Sequence, residues 1–308
     1  MELANRPKLF YYFSLLLVVF IWGLDPLVMT YLYRYYSASV LTAIGALASL
    51  FLFLPLCVGK LHRLDLRYLK VAVPISALNS LACLVQKIGL QYTTPANCAF
   101  LEHLSCAVVP FGVWIVIKKR PAPPQLCAAA LCLGGCFVLC GADFFGGGHA
   151  VGDLLCALAG ILLGVCVVAV GAYAKGLDPM LYICVHMLTY FLISLFSALL
   201  LQAVRIGGAP AEPLHFTPSP LFLLLAVLFG LLSIGVCWLL KNIAVVHTDP
   251  TAVAIISPMA AVISGVISVL AGLDHLTPSL LIGGGLILAA ILLSGICEAL
   301  LEKRKSIK

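Results

Sequence analysis

Among the ionisable residues inside long apolar runs of this sequence, Asp25, Lys87 and Glu102 stand out. A charge in hydrocarbon is expensive and normally faces a partner or a pathway, so each is a functional candidate. Read as helices, the runs place Asp25 roughly 24 Å from the start of the first and Lys87 about 24 Å along the third. Glu102 lies about 9 Å into the fourth. With the runs alternating in direction through a core about 30 Å thick, all three fall in its outer third and can form one charge cluster. Two chemistries fit. In one, Lys87 is the neutralising half of a structural pair, because an unpaired buried charge is very costly. In the other, a solute amine or carboxylate exchanges for one partner, or a carboxylate carries a coupling proton. Two acids against one base favour a cationic or zwitterionic solute, or a proton.

Polar residues near these charges share helical stripes. Asn79, Cys83 and Gln86 follow the spacing of one face, as do Cys98, Glu102 and Ser105. Ser257, Ala261, Ser264 and Ser268 form a similar stripe late in the chain. Small hydroxyl residues also promote close helix packing. Trp22 lies one turn from Asp25 and is either a cavity wall or core. His103 and His186 read as packing residues before proton relays. Lys241 ends an apolar run and is expected to snorkel to the headgroups.

The elements that must hold these residues follow from composition. The chain has 308 residues, 63% apolar and 10% charged, against about half and a quarter in a soluble domain. A soluble core could not hide that surface, which excludes a cytosolic enzyme, a nucleic-acid-binding domain and a disordered chain. Apolar runs recur at 9–32, 36–58, 71–91, 96–117, 124–143, 153–174, 179–203, 221–246, 251–272 and 277–297. Each is near the length that crosses a bilayer, and none shows the alternation of a barrel strand. The expected fold is an all-α polytopic membrane protein of ten transmembrane helices. With the N-terminus inside, fifteen of the 18 Lys and Arg fall on inner segments, among them Lys60, Arg63, Lys118 and Lys305. Arg34 and Arg205 fall outside. This is the positive-inside pattern. It places both termini in the cytoplasm and explains the net charge of +6 without a nucleic acid.

Residues 88–140 and 243–295 align without gaps at an offset of 155. Thr93 meets Thr248, Pro95 meets Pro250 and Pro123 meets Pro278, and Ser257 is the counterpart of Glu102. Five spans per half is odd, so the halves, 1–146 and 147–308, insert in opposite directions. Inverted five-helix repeats with a site at their interface are a carrier architecture.

The chain resembles the drug/metabolite transporter superfamily, in particular its EamA-type members, along essentially its whole length. The resemblance rests on Phe20-Ile21-Trp22-Gly23, the Tyr92-Thr93-Thr94-Pro95-Ala96 turn, and Leu104 to Pro110. In the second half it rests on Gly152-Asp153-Leu154-Leu155, Ser257-Pro258, and Leu276-Thr277-Pro278 through Gly283. It implies ten helices in two EamA-like repeats, cytoplasmic termini, and export or exchange of small metabolites. The second span lacks the Arg that EamA-like chains often carry, and Asp274 stands near where a glutamate is usual.

Thirteen cysteines mostly lie within spans, without Cys-x-x-Cys or zinc-finger spacing, and read as small hydrophobes. No metal or cofactor is expected. The absence of a Walker loop removes ATP-driven transport within this chain. The reading is a multi-pass carrier in the cell (inner or plasma) membrane, moving a small metabolite such as an amino acid by alternating access, driven by a solute or proton gradient. Its pathway residues are Asp25, Lys87, Glu102, Trp22, Asn79, Gln86 and Ser257. The alternatives are an intramembrane lipid-modifying enzyme and a non-transporting receptor or scaffold.

Overall fold

The structure is a computed structural model that describes residues 8–66, 68–118, 120–121, 123–140, 149–174, 177–203, 205–206, 209–210, 212–241 and 259–306. Eleven α-helices follow in order among the described residues: α1 (Lys8–Leu32), α2 (Ala38–Cys57), α3 (Val73–Leu90), α4 (Pro95–Glu102), α5 (Ser105–Ile117), α6 (Pro123–Cys140), α7 (Ala150–Tyr173), α8 (Pro179–Ala203), α9 (Pro220–Gly230), α10 (Met259–Leu270) and α11 (Pro278–Ser306). A π-helical turn, Tyr68–Ala72, leads into α3, and another, Leu231–Val236, continues α9 toward Lys241. Strands β1 (Arg205–Ile206) and β2 (Ala209–Pro210) make a two-residue antiparallel pair.

Among the described residues, seven helical stretches are long and apolar enough to cross a membrane, from Phe13–Leu32 to Pro220–Lys241. Three apolar stretches are shorter as described: Pro123–Val138, Met259–Leu270 and Pro278–Ala290. The expected ninth span, 251–272, begins outside the described residues, so its second half alone is covered. Large apolar side chains such as Phe13, Phe51, Phe137 and Phe196 face outward, as lipid contact requires. This is an all-α membrane protein.

Local sequence explains the helix ends. Thr94 caps α4 by accepting from the Asn97 N–H at 3.2 Å, and Pro95 occupies the first turn, where a missing N–H costs nothing. The expected fourth helix is broken. His103 N–H turns back to Phe100 O and Leu104 N–H to Leu101 O, separating α4 from α5. Gly160 of α7 lies against that break; a Cβ there would sit 2.6 Å from Leu101 O and 2.8 Å from Glu102 O. Two of the motifs that carry the family resemblance also meet. The Tyr92–Pro95 turn rests on Gly152, while Thr93 Oγ1 and Asn97 Nδ2 donate to the buried Asp153 carboxylate.

The helices pack in pairs: α6 with α11, α3 with α7, α2 with α8, α1 with α10, α7 with α4 and α5, α3 with α8, and α2 with α9. Two apolar clusters form. One gathers Met29, Leu32, Tyr36, Leu90, Phe100 and Leu101 at the α1–α2 and α3–α4 junctions. The other gathers Phe53, Tyr68, Leu181, Ile183 and Met187 toward the end that carries Lys60 and Arg63, here termed the basic end.

At that end Lys60 bridges Asp178 at 2.9 Å. Burial works against the Asp178 carboxylate, but the Lys60 ammonium and the backbone N–H groups of Met180 and Leu181 outweigh it and hold its pKa below the usual value. A depressed carboxylate stabilises the fold above its unfolded pKa and loses that contribution as pH falls through the folded one. Asp178→Asn should therefore leave the melting temperature nearly unchanged near neutrality, because a part-exposed pair contributes about 1 kcal/mol or less. It should flatten the loss of stability below pH ~4. Melting curves of both proteins across that range check this.

Candidate functional site

Asp25 sits in α1 immediately before Pro26, and Lys87 lies near the end of α3. Both are buried, 8% and 7% exposed, and their side chains form an ion pair. Pro26 has no N–H to offer the Trp22 carbonyl one turn back, so the helix is loosened beside the acid. The second Asp25 oxygen accepts from Ser233 Oγ. Ser233 stands in the π-turn Leu231–Val236, whose wider winding relaxes the regular backbone pattern. Its carbonyl accepts the indole N–H of Trp22 at 3.1 Å. One serine thus receives Trp22 and serves Asp25, tying α1 to the continuation of α9.

Glu102 does not join that cluster. Its carboxylate accepts from Gln86 Nε2 at 2.7 Å. Gln86 and Lys87 are adjacent in α3 and project about 100° apart, so α3 holds one carboxylate on each of two sides. The single expected charge cluster is two: Asp25–Lys87–Ser233, and Glu102–Gln86.

Toward the basic end, Asn79 Nδ2 meets Nε2 of His186 at 3.2 Å. His186 is only 2% exposed. It stacks between Tyr182 and Tyr190, with the Trp238 ring centre 5.4 Å away. Trp22 meets Trp238 edge-on at 5.9 Å. Lys241 does not snorkel out to the headgroups. Its Nζ lies 4.8 Å from the ring centre of Trp22 and 5.0 Å from that of Trp238. His103 Nδ1 lies 2.9 Å from Ala99 O, one turn back in α4. Ser257 lies outside the described residues. No group of three or more metal-binding side chains occurs among the described residues.

The segment after β2 is a strap across the end opposite the basic one. Ser37 N–H donates to His215 O and Thr217 N–H to Tyr35 O, both at 3.0 Å. Glu212, 4% exposed, caps α2 by accepting from the N–H and hydroxyl of Ser39, and takes a further bond from Gln91.

The family model for the EamA-like transporter family matches the sequence twice, over residues 9–141 and 150–296. The chain belongs to the EamA-like transporter family. Among solved structures, one crystal structure of a protein superposes with a TM-score of 0.64 at 19% identity, covering 95% of this chain and 98% of its own; that likeness speaks to fold alone. No curated protein matches the sequence.

Within this EamA-like chain the two family matches divide the polar residues. Trp22, Asp25, Asn79, Gln86, Lys87 and Glu102 come from the first match, and His186, Ser233, Trp238 and Lys241 from the second. Sequence reasoning missed Ser233, Trp238 and Glu212 as members of polar networks. Ser233 gave one faint signal, since it is the sole hydroxyl between Pro220 and Lys241.

Proposed function

We propose that this chain is a secondary-active carrier that moves a small metabolite, such as an amino acid or a related amphipathic solute, by alternating access. The observation that carries the reading is the Trp22–Ser233–Asp25–Lys87 network, which joins the two family matches through buried polar groups. A site at a repeat interface, built on broken or irregular helices, is where such a carrier binds its solute. Here the irregular elements are the α4–α5 break beside Glu102 and the π-turn that carries Ser233.

In this reading ten spans form two inverted repeats, 1–146 and 147–308. Most of the packing pairs support it, while the α3–α7 contact has as its counterpart only a lighter one, of α1 with the Leu231–Val236 turn. Exchanging each span for the one five places along turns the α1–α10 contact into α7–α4/α5 and the α3–α8 contact into α9–α2. The α2–α8 and α6–α11 contacts map onto themselves. The basic end faces the cytoplasm of a cell membrane and holds both termini. Rocking of one repeat against the other breaks and remakes the Ser233 bonds, with Trp22 forming a wall of the pathway. Asn79, Gln86 and Ser257 line the remainder.

Counterflow in proteoliposomes tests the reading. Saturable exchange of a labelled amino acid or related solute supports it, and no flux across a broad panel of such solutes contradicts it. Glu102, partly buried and held by one amide, is the proton-carrying group. Glu102→Gln should abolish accumulation driven by an imposed pH gradient while counterflow persists. Unchanged gradient-driven accumulation in that variant would show that the proton is carried elsewhere or not at all.

A further inference from the structure

Two donors flank Trp238 with no hydrogen-bond acceptor among the described residues. Lys241 Nζ rests on the faces of Trp22 and Trp238, and no carboxylate lies within salt-bridge distance of it among the described residues. Aromatic faces attract a cation but accept none of its three hydrogen bonds in the way an oxygen does. His186 is the second. The Asn79 amide nitrogen faces Nε2 at 3.2 Å; with that amide donating, Nε2 accepts and the proton of the neutral ring is assigned to Nδ1. That Nδ1 is fully buried and has no hydrogen-bond partner among the described residues. Stacking by Tyr182 and Tyr190 fixes the ring in this orientation. A buried donor left unmade, and a cation that no carboxylate contacts among the described residues, are each costly unless something else completes the site.

We infer that Lys241 and the Nδ1–H of His186 bind an anionic carboxylate of the transported solute. The His186 ring centre lies 5.4 Å and Lys241 Nζ 5.0 Å from the Trp238 ring centre. The two rings that hold Lys241 come from opposite halves of the chain, so the ammonium is parked at the repeat interface. An arriving carboxylate draws Nζ off the rings and takes the Nδ1–H as a second bond. The substrate class is a carboxylate-bearing amphipathic or zwitterionic solute. This assignment rests on the carrier reading, but its test does not require flux.

Trp114 is exposed on α5, so a Trp114→Phe background leaves Trp22 and Trp238 as the reporting indoles. Purified protein in detergent is titrated with L-leucine, L-methionine, their carboxamides and benzoate while indole emission is read. A saturable change is expected with at least one of the carboxylates and not with its carboxamide. Lys241→Gln should weaken that binding by about tenfold to a hundredfold, the equivalent of one charge-assisted hydrogen bond. Lys241→Arg should keep it within a few-fold, and His186→Gln should weaken it less than Lys241→Gln. Each variant is first shown to be monodisperse with a wild-type melting temperature, and Lys241→Arg guards against a loss that reflects misfolding. Equal binding of carboxylate and carboxamide, unchanged binding in Lys241→Gln, or no saturable change with any probe overturns the assignment. Binding without flux in liposomes would instead leave the carboxylate site standing and sink the carrier reading.

Discussion

Asp25→Asn and Lys87→Gln should each destabilise the protein by about 3–5 kcal/mol, because each leaves one charge buried without its partner. The pair is enclosed, and the other group serving Asp25 is Ser233 Oγ. In Asp25→Asn the Lys87 ammonium remains in the bundle facing an amide. In Lys87→Gln the Asp25 carboxylate keeps the serine hydroxyl but loses its cation. The double variant Asp25→Asn/Lys87→Gln removes both charges and should recover most of the stability lost in either single variant, since a neutral buried pair is often no worse than an ionic one. Thermal melting of the three variants in detergent checks this. Additive losses in the double variant would mean that the two residues do not interact.

Gly230→Val should destabilise at least as much as a typical overpacked core position, about 1–3 kcal/mol, and should block transport. A Cβ at Gly230 would lie 2.5 Å from the Gly45 Cα, and one at Gly45 would lie 2.9 Å from the Gly230 Cα. Two glycines face each other where α2 crosses α9, so neither side has a flexible side chain that could move away. The α9 backbone must shift, and it leads directly into the π-turn that carries Ser233. Gly230→Ala should show a smaller version of the same effect. The measurement is melting temperature together with counterflow. A Gly230→Val protein with wild-type values in both would mean that the α2–α9 contact is looser than its geometry implies.

Much of this arrangement is legible in the sequence, because a membrane chain is so strongly constrained. Helical rise alone puts Asp25 and Lys87 at one depth, and they do pair. Depth says nothing about azimuth, however, so the same reasoning groups Glu102 with them although it faces Gln86 on another side of α3. Ser233 is not legible, since a lone serine in an apolar run looks like a packing residue and its partners lie some two hundred positions away. Lys241 defies the snorkelling expectation because position at the end of a run fixes where the Cα is, not which way a long side chain turns. The break between α4 and α5 is also hidden; no Pro or Gly marks residues 102–105, and the break lies where the chain packs against Gly160. The strap that carries Glu212 looks like a linker because its prolines signal irregular backbone without saying what it covers.

The most direct measurement is counterflow by the stable double variant Asp25→Asn/Lys87→Gln beside wild type, in matched proteoliposomes. The account predicts saturable exchange by the wild type and a loss of at least about tenfold in the double variant, because the charges beside the Ser233 link are then gone although the fold is intact. Equal exchange by the two proteins would contradict it, reducing the buried pair to a structural tie and moving the solute pathway elsewhere in the bundle.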